Sequence, residues 1–351
     1  MSPLHEYHRR HAEHFIDLFG YSIPLHYSTP KEEYQAAQTA GMLDAGFFDK
    51  LRVIGKDRES LLHRLTTNEM RQMQSGASRV NIFTNAKGRV VDRVEMLAEE
   101  ESYLLLTSPG RAITVQKWIE KYTFLEDVKP HDLTTQLGMI SLFGEESAAR
   151  LEKALGISGA EISAGHFEKT SWQNVEILVH HPEAANPARL NLILPIASEP
   201  MVWQSLLSRF TPIGFSTYET LRILPGIPAA DHEIVDEYNP HEIGLYPFID
   251  FEKGCYIGQE VIARLDSYQK VQRQLIGVKS ETEASLLVGA TVWLQEQEAG
   301  KLTSVAPAPN GSGTIGLAVV RKTFVQPNTN VVLRREHESF PAVFIKIPFE
   351  D

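Results

Sequence analysis

The only thiol in 351 residues, Cys255, stands in the string Phe251-Glu252-Lys253-Gly254-Cys255-Tyr256-Ile257-Gly258-Gln259-Glu260. The thiolate is the nucleophilic form of cysteine, and nearby positive charge or a helix N-terminus favours it. Lys253 offers the charge. The spacing predicts a helix over about 258–265, with Val261, Ile262 and Leu265 on one face and Glu260 and Arg264 paired at i,i+4. Cys255 and Lys253 are therefore the candidate catalytic pair. The plain alternative for a lone cysteine is a small buried hydrophobe. One cysteine excludes an intramolecular disulfide and a cysteine zinc finger.

Two further charged residues need partners. Asp92 follows the turn Thr84-Asn85-Ala86-Lys87-Gly88 on a return strand over 89–97. Alternation puts Val90, Asp92, Val94 and Met96 on one face, and Val91, Arg93, Glu95 and Leu97 on the other. The charges of Arg93 and Glu95 mark theirs as the wetter face, which leaves Asp92 among apolar neighbours. A carboxylate there either binds the N–H groups of a polar heterocycle in a pocket or pairs with an arginine or backbone N–H. Arg222 lies in Ser216-Thr217-Tyr218-Glu219-x-x-Arg222. Ser216 and Glu219 have the form of a capping box. Arg222 is left to bind a carboxylate of a ligand or to form a structural ion pair.

The surrounding elements recur as strand–Gly–helix units. Leu51 to Ile54 runs through Gly55 and Asp57, a candidate cap, into a helix with Leu61, Leu62 and Leu65 inside. Ile140 to Phe143 runs through Gly144 to Leu151 and Leu155. Leu190 to Leu194 precedes a helix over 201–210. Neither Gly55 nor Gly144 has the spacing of a phosphate-binding loop. Ser108-Pro109 is read as the start of a helix whose buried stripe is Val115, Trp118, Ile119 and Tyr122. His5, His8, His11 and His14 drift around a helix by about 60° per step, so the four do not converge on a metal and a solvated face is expected. From Arg273 six short β-like runs separated by turns predict a small antiparallel barrel.

Composition narrows the classes. Hydrophobic residues make up 42% and the formal charge is −11. The first suffices for a large core; the second disfavours general nucleic-acid binding, which needs clustered cations. No apolar run reaches membrane-spanning length and the first twenty residues lack a signal core. The expectation is a cytoplasmic protein.

The Lys253-to-Glu260 string resembles the signature of the YgfZ-type folate-binding proteins, within the superfamily of the glycine-cleavage T-protein. The blocks Gly41-x-x-Asp44, Leu51-x-Val53-x-Gly55-x-Asp57, Leu65-Thr66-Thr67-Asn68, Thr84-Asn85-x-x-Gly88-x-x-x-Asp92 and Glu219-x-x-Arg222-Ile223-x-x-Gly226-Ile227-Pro228 are similar to successive blocks of that superfamily. The resemblance implies an α+β fold. A multi-domain folate-binding body over 1–272 would precede a C-terminal antiparallel β-barrel over 273–351. It also implies tetrahydrofolate or a one-carbon derivative as cofactor, with Asp92 and Arg222 binding it. The implied role is support of iron–sulfur cluster assembly or repair, including tRNA-modifying enzymes, with iron–sulfur proteins or assembly factors as partners. The alternatives are a tetrahydrofolate-dependent aminomethyltransferase or demethylase, and a non-catalytic scaffold. The chain has Arg93 where T-proteins usually have a second acid, Thr107-Ser108 where they have Asn, and Leu224 where they have an acid. These departures weigh against aminomethyl transfer.

Overall fold

Two antiparallel sheets and a barrel carry the chain in the computed structural model, which describes residues 2–183, 188–268 and 271–349. The first sheet has five strands in the order Ser78–Thr84, Val90–Ala98, Ser102–Thr107, Asp49–Ile54, Lys129–Asp132. The second has six: His166–Trp172, Val175–His181, Arg189–Pro195, Leu137–Phe143, Gly41–Asp44 and Thr211–Pro212, only the last pairing parallel. Helices Arg58–Leu65 and Ala112–Lys121 cover the outer face of the first sheet through Leu61, Leu62, Leu65, Val115 and Ile119. Helices Ser147–Leu155 and Glu199–Leu206 do the same for the second through Leu151, Leu155, Val202 and Leu206. Between the sheets, Leu97, Leu104 and Leu106 meet Met139, Phe143, Leu178 and Ile193. The layers are thus helix, sheet, sheet, helix, each interface closed by apolar side chains.

The strand–Gly–helix units exist because the turn leaves no room for a side chain. Gly55 has φ +108° and a Cβ there would stand 2.0 Å from the Asp127 carbonyl oxygen. Gly144 has φ +103° and would meet the Thr39 backbone at 2.4 Å. Glycine is the residue that tolerates both the conformation and the approach. Asp57 occupies the cap position of its helix without a capping bond; its Oδ2 accepts the N–H of Asp127 instead. The helix after Pro109 begins later than expected, at Ala112.

The six runs from Arg273 form a closed antiparallel barrel, in the order Arg273–Ser280, Thr314–Arg321, Gln297–Pro307, Thr291–Leu294, Asn330–Arg335, Glu338–Ile345. Its interior holds Ile276, Val278, Val292, Leu302, Leu333 and Phe344. Outward residues Leu275, Ile315, Leu317 and Val319 dock on Ile223, Ile234, Ile243 and Ile262 of the body. Among the described residues no helix is long and apolar enough to cross a membrane.

The N-terminal helix, His5–His11, is not solvated all round. His8 is fully buried, and its Nε2 lies 2.8 Å from Asp44 Oδ2 while its Nδ1 lies 2.7 Å from the Tyr27 hydroxyl. Asp44 supplies the reason: a buried carboxylate needs partners, and it also accepts from Ser2, Tyr21 and the Gly46 N–H. Among the described residues no group of His, Cys, Asp and Glu is arranged to hold a metal.

The helix Phe215–Ile223 starts from Gly214, not from a Ser216 cap, and Glu219 is not a capping residue. Glu219 instead takes Arg222 through both carboxylate oxygens, Oε1 at 2.6 Å from Nε. The other Arg222 donors reach the Ile227 carbonyl at 3.2 Å, Ser304 Oγ on the barrel at 2.9 Å and Glu233 at 3.7 Å. Glu233, itself fully buried, accepts from Thr303 and Ser304 of the same barrel strand. Removing one partner of such a buried network leaves the others uncompensated. Arg222→Met is predicted to cost about 3–5 kcal/mol of global stability in urea unfolding, and Arg222→Met combined with Glu233→Gln less than the sum of the two single changes.

Candidate functional site

Where the two sheets diverge, a cavity of about 350 Å³ opens. The first sheet contributes Arg93, Glu95, Leu106 and Thr107, and the second Met139, Phe143, Arg189 and Asn191. The helix Phe215–Ile223 adds Phe215, Tyr218 and Glu219, the 227–234 loop adds Ile227 and Pro228, and Phe47 and Phe48 add two more rings. Phe47 and Phe48 are stacked with centroids 4.8 Å apart, and Tyr218 meets both edge-on at 5.7 and 5.9 Å. A second hollow shares Arg93, Ile227 and Pro228 with the first and leads on to Glu183, Leu245 and Phe248. Arg93 is therefore a wall common to both.

The face carrying Arg93 and Glu95 is not the wet outside of the sheet, as alternation alone suggests; it is the inner face, and Glu95 is only 6% exposed. Charge there is satisfied inside the protein. Burial opposes ionisation of Glu95, but the charge of His180, at 3.2 Å, with Arg189 and Arg93, holds its carboxyl at about 2. It also accepts the Glu183 N–H at 3.2 Å. Arg93 and Arg189 lie over the rings of Phe248 and Phe143, at 5.3 and 5.9 Å.

Asp92 points to the opposite face with Val94 and Met96, toward the helix-covered side. Fully buried, it accepts the Ser108 N–H at 3.1 Å through Oδ2, while Oδ1 has no partner. Burial pushes its carboxyl up to about 6, against the bonds to Ser108 and the charge of Arg111. It thus stands behind the cavity wall and holds the Ser108 backbone, and Ser108 does line the cavity. Arg222 lines the cavity too, with its donors committed to Glu219, Ile227, Ser304 and Glu233.

Lys253 and Cys255 belong to a separate surface. Three of the sequence blocks meet there. Lys253 Nζ donates to the carbonyls of His63, Thr66 and Asn68 at 2.8, 2.7 and 2.6 Å. Thr84 Oγ1 donates to the Ile257 carbonyl at 2.5 Å, and a Cβ on Gly258 (φ +86°) would stand 2.5 Å from the Asn85 oxygen. Burial pushes Lys253 down to about 7, opposed by Glu69 and Asp250. Three carbonyl acceptors use all three protons of an ammonium, so the charged form is the one that the site is shaped to hold. Its three donors are therefore all taken up by this clasp. Cys255 is exposed, three residues before the N-cap Gly258 of helix Gln259–Ser267. Beside it, His63 Nδ1 is 3.0 Å from Glu69, and its Nε2 is unpartnered, 3.8 Å from where a Gly254 Cβ would stand.

Of the residues that the sequence singles out, Arg222 lines the cavity while Asp92, Lys253 and Cys255 do not; Arg93, Arg189, Glu95, Asn191 and Tyr218, which the sequence pattern does not mark as cavity residues, line it too. The signal for Arg93 and Glu95 was present, since two charges on one face of an otherwise apolar strand mark a polar interior as well as they mark solvent. Arg189 and Asn191 also share a strand face, two residues apart.

Fold and cavity together are two packed sheets enclosing an aromatic, arginine-lined pocket, braced by a barrel. The chain belongs to the glycine cleavage T-protein family, matching its GCVT N-terminal domain over residues 4–253 and its glycine cleavage T-protein C-terminal barrel domain over residues 273–351. It is similar to a putative chloroplastic transferase of Arabidopsis thaliana, 28% identical over 88% of this chain and 71% of that protein. It is also similar to the aminomethyltransferase of Chlorobium limicola, 25% identical over 99% and 98% of the two chains. The solved glycine cleavage system aminomethyltransferase T from Bartonella henselae has the same fold, with a TM-score of 0.87 and 22% identity over 99% of this chain and 97% of that one.

The raised carboxyl of Asp92 generates a pH signature. Its folded pKa of about 6 lies above the ordinary 3.8. The folded state therefore binds more protons in that window, and stability rises as pH falls through it. Asp92→Asn keeps an oxygen for the Ser108 N–H. It is predicted to be more stable than wild type at pH 7.5, by roughly 1–2 kcal/mol in urea unfolding, with the difference vanishing below about pH 4.

Proposed function

We propose that the protein binds tetrahydrofolate, or a one-carbon derivative of it, in the cavity between the two sheets. The observation that carries this is the cavity itself: one wall is the packed cluster of the Phe47, Phe48, Phe215 and Tyr218 rings, and a carboxylate, Glu95, and an amide, Asn191, line it as well. Flat heterocycles pack on aromatic walls, and a few convergent polar groups fix their orientation. Glu95 would accept N–H groups of the heterocycle, as the sequence reading expected of Asp92. Asp92 and Arg222 would serve the site from behind, holding Ser108 and the Tyr218 helix in place. Membership of a family whose relatives are named aminomethyltransferases supports a folate ligand.

The same geometry favours binding over group transfer. General acid–base catalysis works best with a group that titrates near the operating pH and can reach the reacting atom. Glu95 is held ionised by His180 and the arginines. The other lining carboxylates are engaged: Glu219 by Arg222, Asp231 by Arg111 at 2.6 Å, and Asp17 by the Gly20 N–H at 2.8 Å. The leading reading is thus a folate-binding protein that supports iron–sulfur cluster assembly or repair, with the exposed Cys255 as the contact for an iron–sulfur partner. The second reading, tetrahydrofolate-dependent aminomethyl transfer, is favoured by the names of the relatives.

Anaerobic calorimetric titration with tetrahydrofolate tests the binding. Wild type is predicted to bind, Tyr218→Ala to bind about fivefold or more weakly through lost aromatic packing, and Cys255→Ser to bind as wild type. Absence of wild-type binding contradicts the reading. In cells, Cys255→Ser is predicted to lose support of iron–sulfur client enzymes; full support by that variant removes the partner role. Single-turnover formation of methylene-tetrahydrofolate from an aminomethyl donor would move the second reading ahead.

A further inference from the structure

We infer that the cavity takes a carboxylate of its ligand between Arg93 and Arg189, so that the anionic part of the ligand is bound inside the protein. This deepens the tetrahydrofolate reading and rests on it for the identity of the ligand, though not for its charge.

The contrast with Arg222 makes the case. All three arginines line the cavity. Arg222 directs its donors at two carboxylates, a hydroxyl and a carbonyl. Arg93 and Arg189, among the described residues, donate to none, and the Nε of each is shielded from solvent without a partner. Guanidinium groups carry five donors each and stay charged, so the two arginines offer the cavity N–H groups that no described protein acceptor takes up. Aromatic faces, Phe248 for Arg93 and Phe143 for Arg189, hold them without using those donors.

The charge count agrees. The charges acting on Arg93 are those of Glu95, Asp92, Arg189 and Tyr218, and Glu95 already serves His180 and the Glu183 N–H. Among the described residues no carboxylate lies within ion-pair distance of either arginine, so positive charge at that wall is in local excess. Burial and the like charge of Arg189 both disfavour the Arg93 cation, and the charge of Glu95 only partly offsets them. A carboxylate is the complement that such a pair accepts, because its two oxygens match the fork of a guanidinium. A neutral or cationic ligand would leave the excess in place. In a folate the glutamyl tail carries the carboxylates.

Three probes separate the parts: tetrahydrofolate, 4-aminobenzoyl-glutamate, which keeps the carboxylates without the pterin, and tetrahydrobiopterin, a reduced pterin without a carboxylate. Titrations use wild type, Arg93→Met and Arg189→Met, with ligand-free melting temperatures alongside. Each variant should lose about tenfold or more in affinity for both carboxylate probes while holding tetrahydrobiopterin as wild type does. The ligand-free melting temperature, read alongside, shows whether each variant keeps its fold. Binding of aminobenzoyl-glutamate that depends on both arginines, with no binding of tetrahydrofolate, would uphold the inference and discard the folate reading. The inference is overturned if wild type binds neither carboxylate probe, if the variants bind them undiminished, or if affinity for all three probes and the melting temperature fall together.

Discussion

Arg222 is the point on which the architecture of this protein turns. One guanidinium ties together the helix that carries Tyr218, the loop that begins at Ile227, and the barrel strand that carries Ser304. Glu233 closes the arrangement by accepting from the barrel and pairing with the same arginine. A buried cation of this kind contributes little net stability compared with a well-packed apolar contact, but it tolerates only one geometry. That geometry sets the position of Tyr218, which faces the cavity between the sheets. The barrel thus helps to shape the cavity at a distance by fixing one of its walls, through a residue that itself has no donor to spare.

The cavity and the Cys255 surface are two separate chemistries on one frame. The string from Lys253 to Glu260 reads as a catalytic motif, yet most of its side chains do structural work. Lys253 clamps the end of helix Arg58–Leu65, and Gly258 allows the close pass against Asn85. Cys255 is left exposed, next in the chain to Gly254, near which His63 Nε2 stands without a partner. Such a division suits a protein that holds a small molecule in its interior and presents a thiol to something outside.

Much of the fold was legible because its signals are local. Short β-like runs separated by turn clusters mark the six barrel strands, and glycine between a strand and a helix marks the tight turns at Gly55 and Gly144. The failures were of another kind. Ser216 and Glu219 satisfy the pattern of a capping box, but Arg222, one turn on from Glu219, outbids a backbone N–H for the carboxylate. Thr29 and Glu32 form a true capping box that the sequence reading did not single out. Alternation assigned Arg93 and Glu95 correctly to one face and Asp92 to the other, yet a face has no label saying whether it meets water or another sheet. That depends on Phe143 and Arg189, some fifty to a hundred residues further along. The burial of His8 escapes local pattern for the same reason: its partner, Asp44, lies thirty-six positions away.

The account predicts that positive charge, not a free acid, is what the cavity offers to its ligand. A crystal structure of the protein grown anaerobically with tetrahydrofolate tests this most directly. The account requires the pterin in the cavity beside Tyr218 and Glu95, and a glutamyl carboxylate within hydrogen-bonding distance of both Arg93 and Arg189. Density for the ligand at the Cys255 surface, or in the cavity with its carboxylates turned out to solvent and the two guanidinium groups still unpartnered, would contradict it.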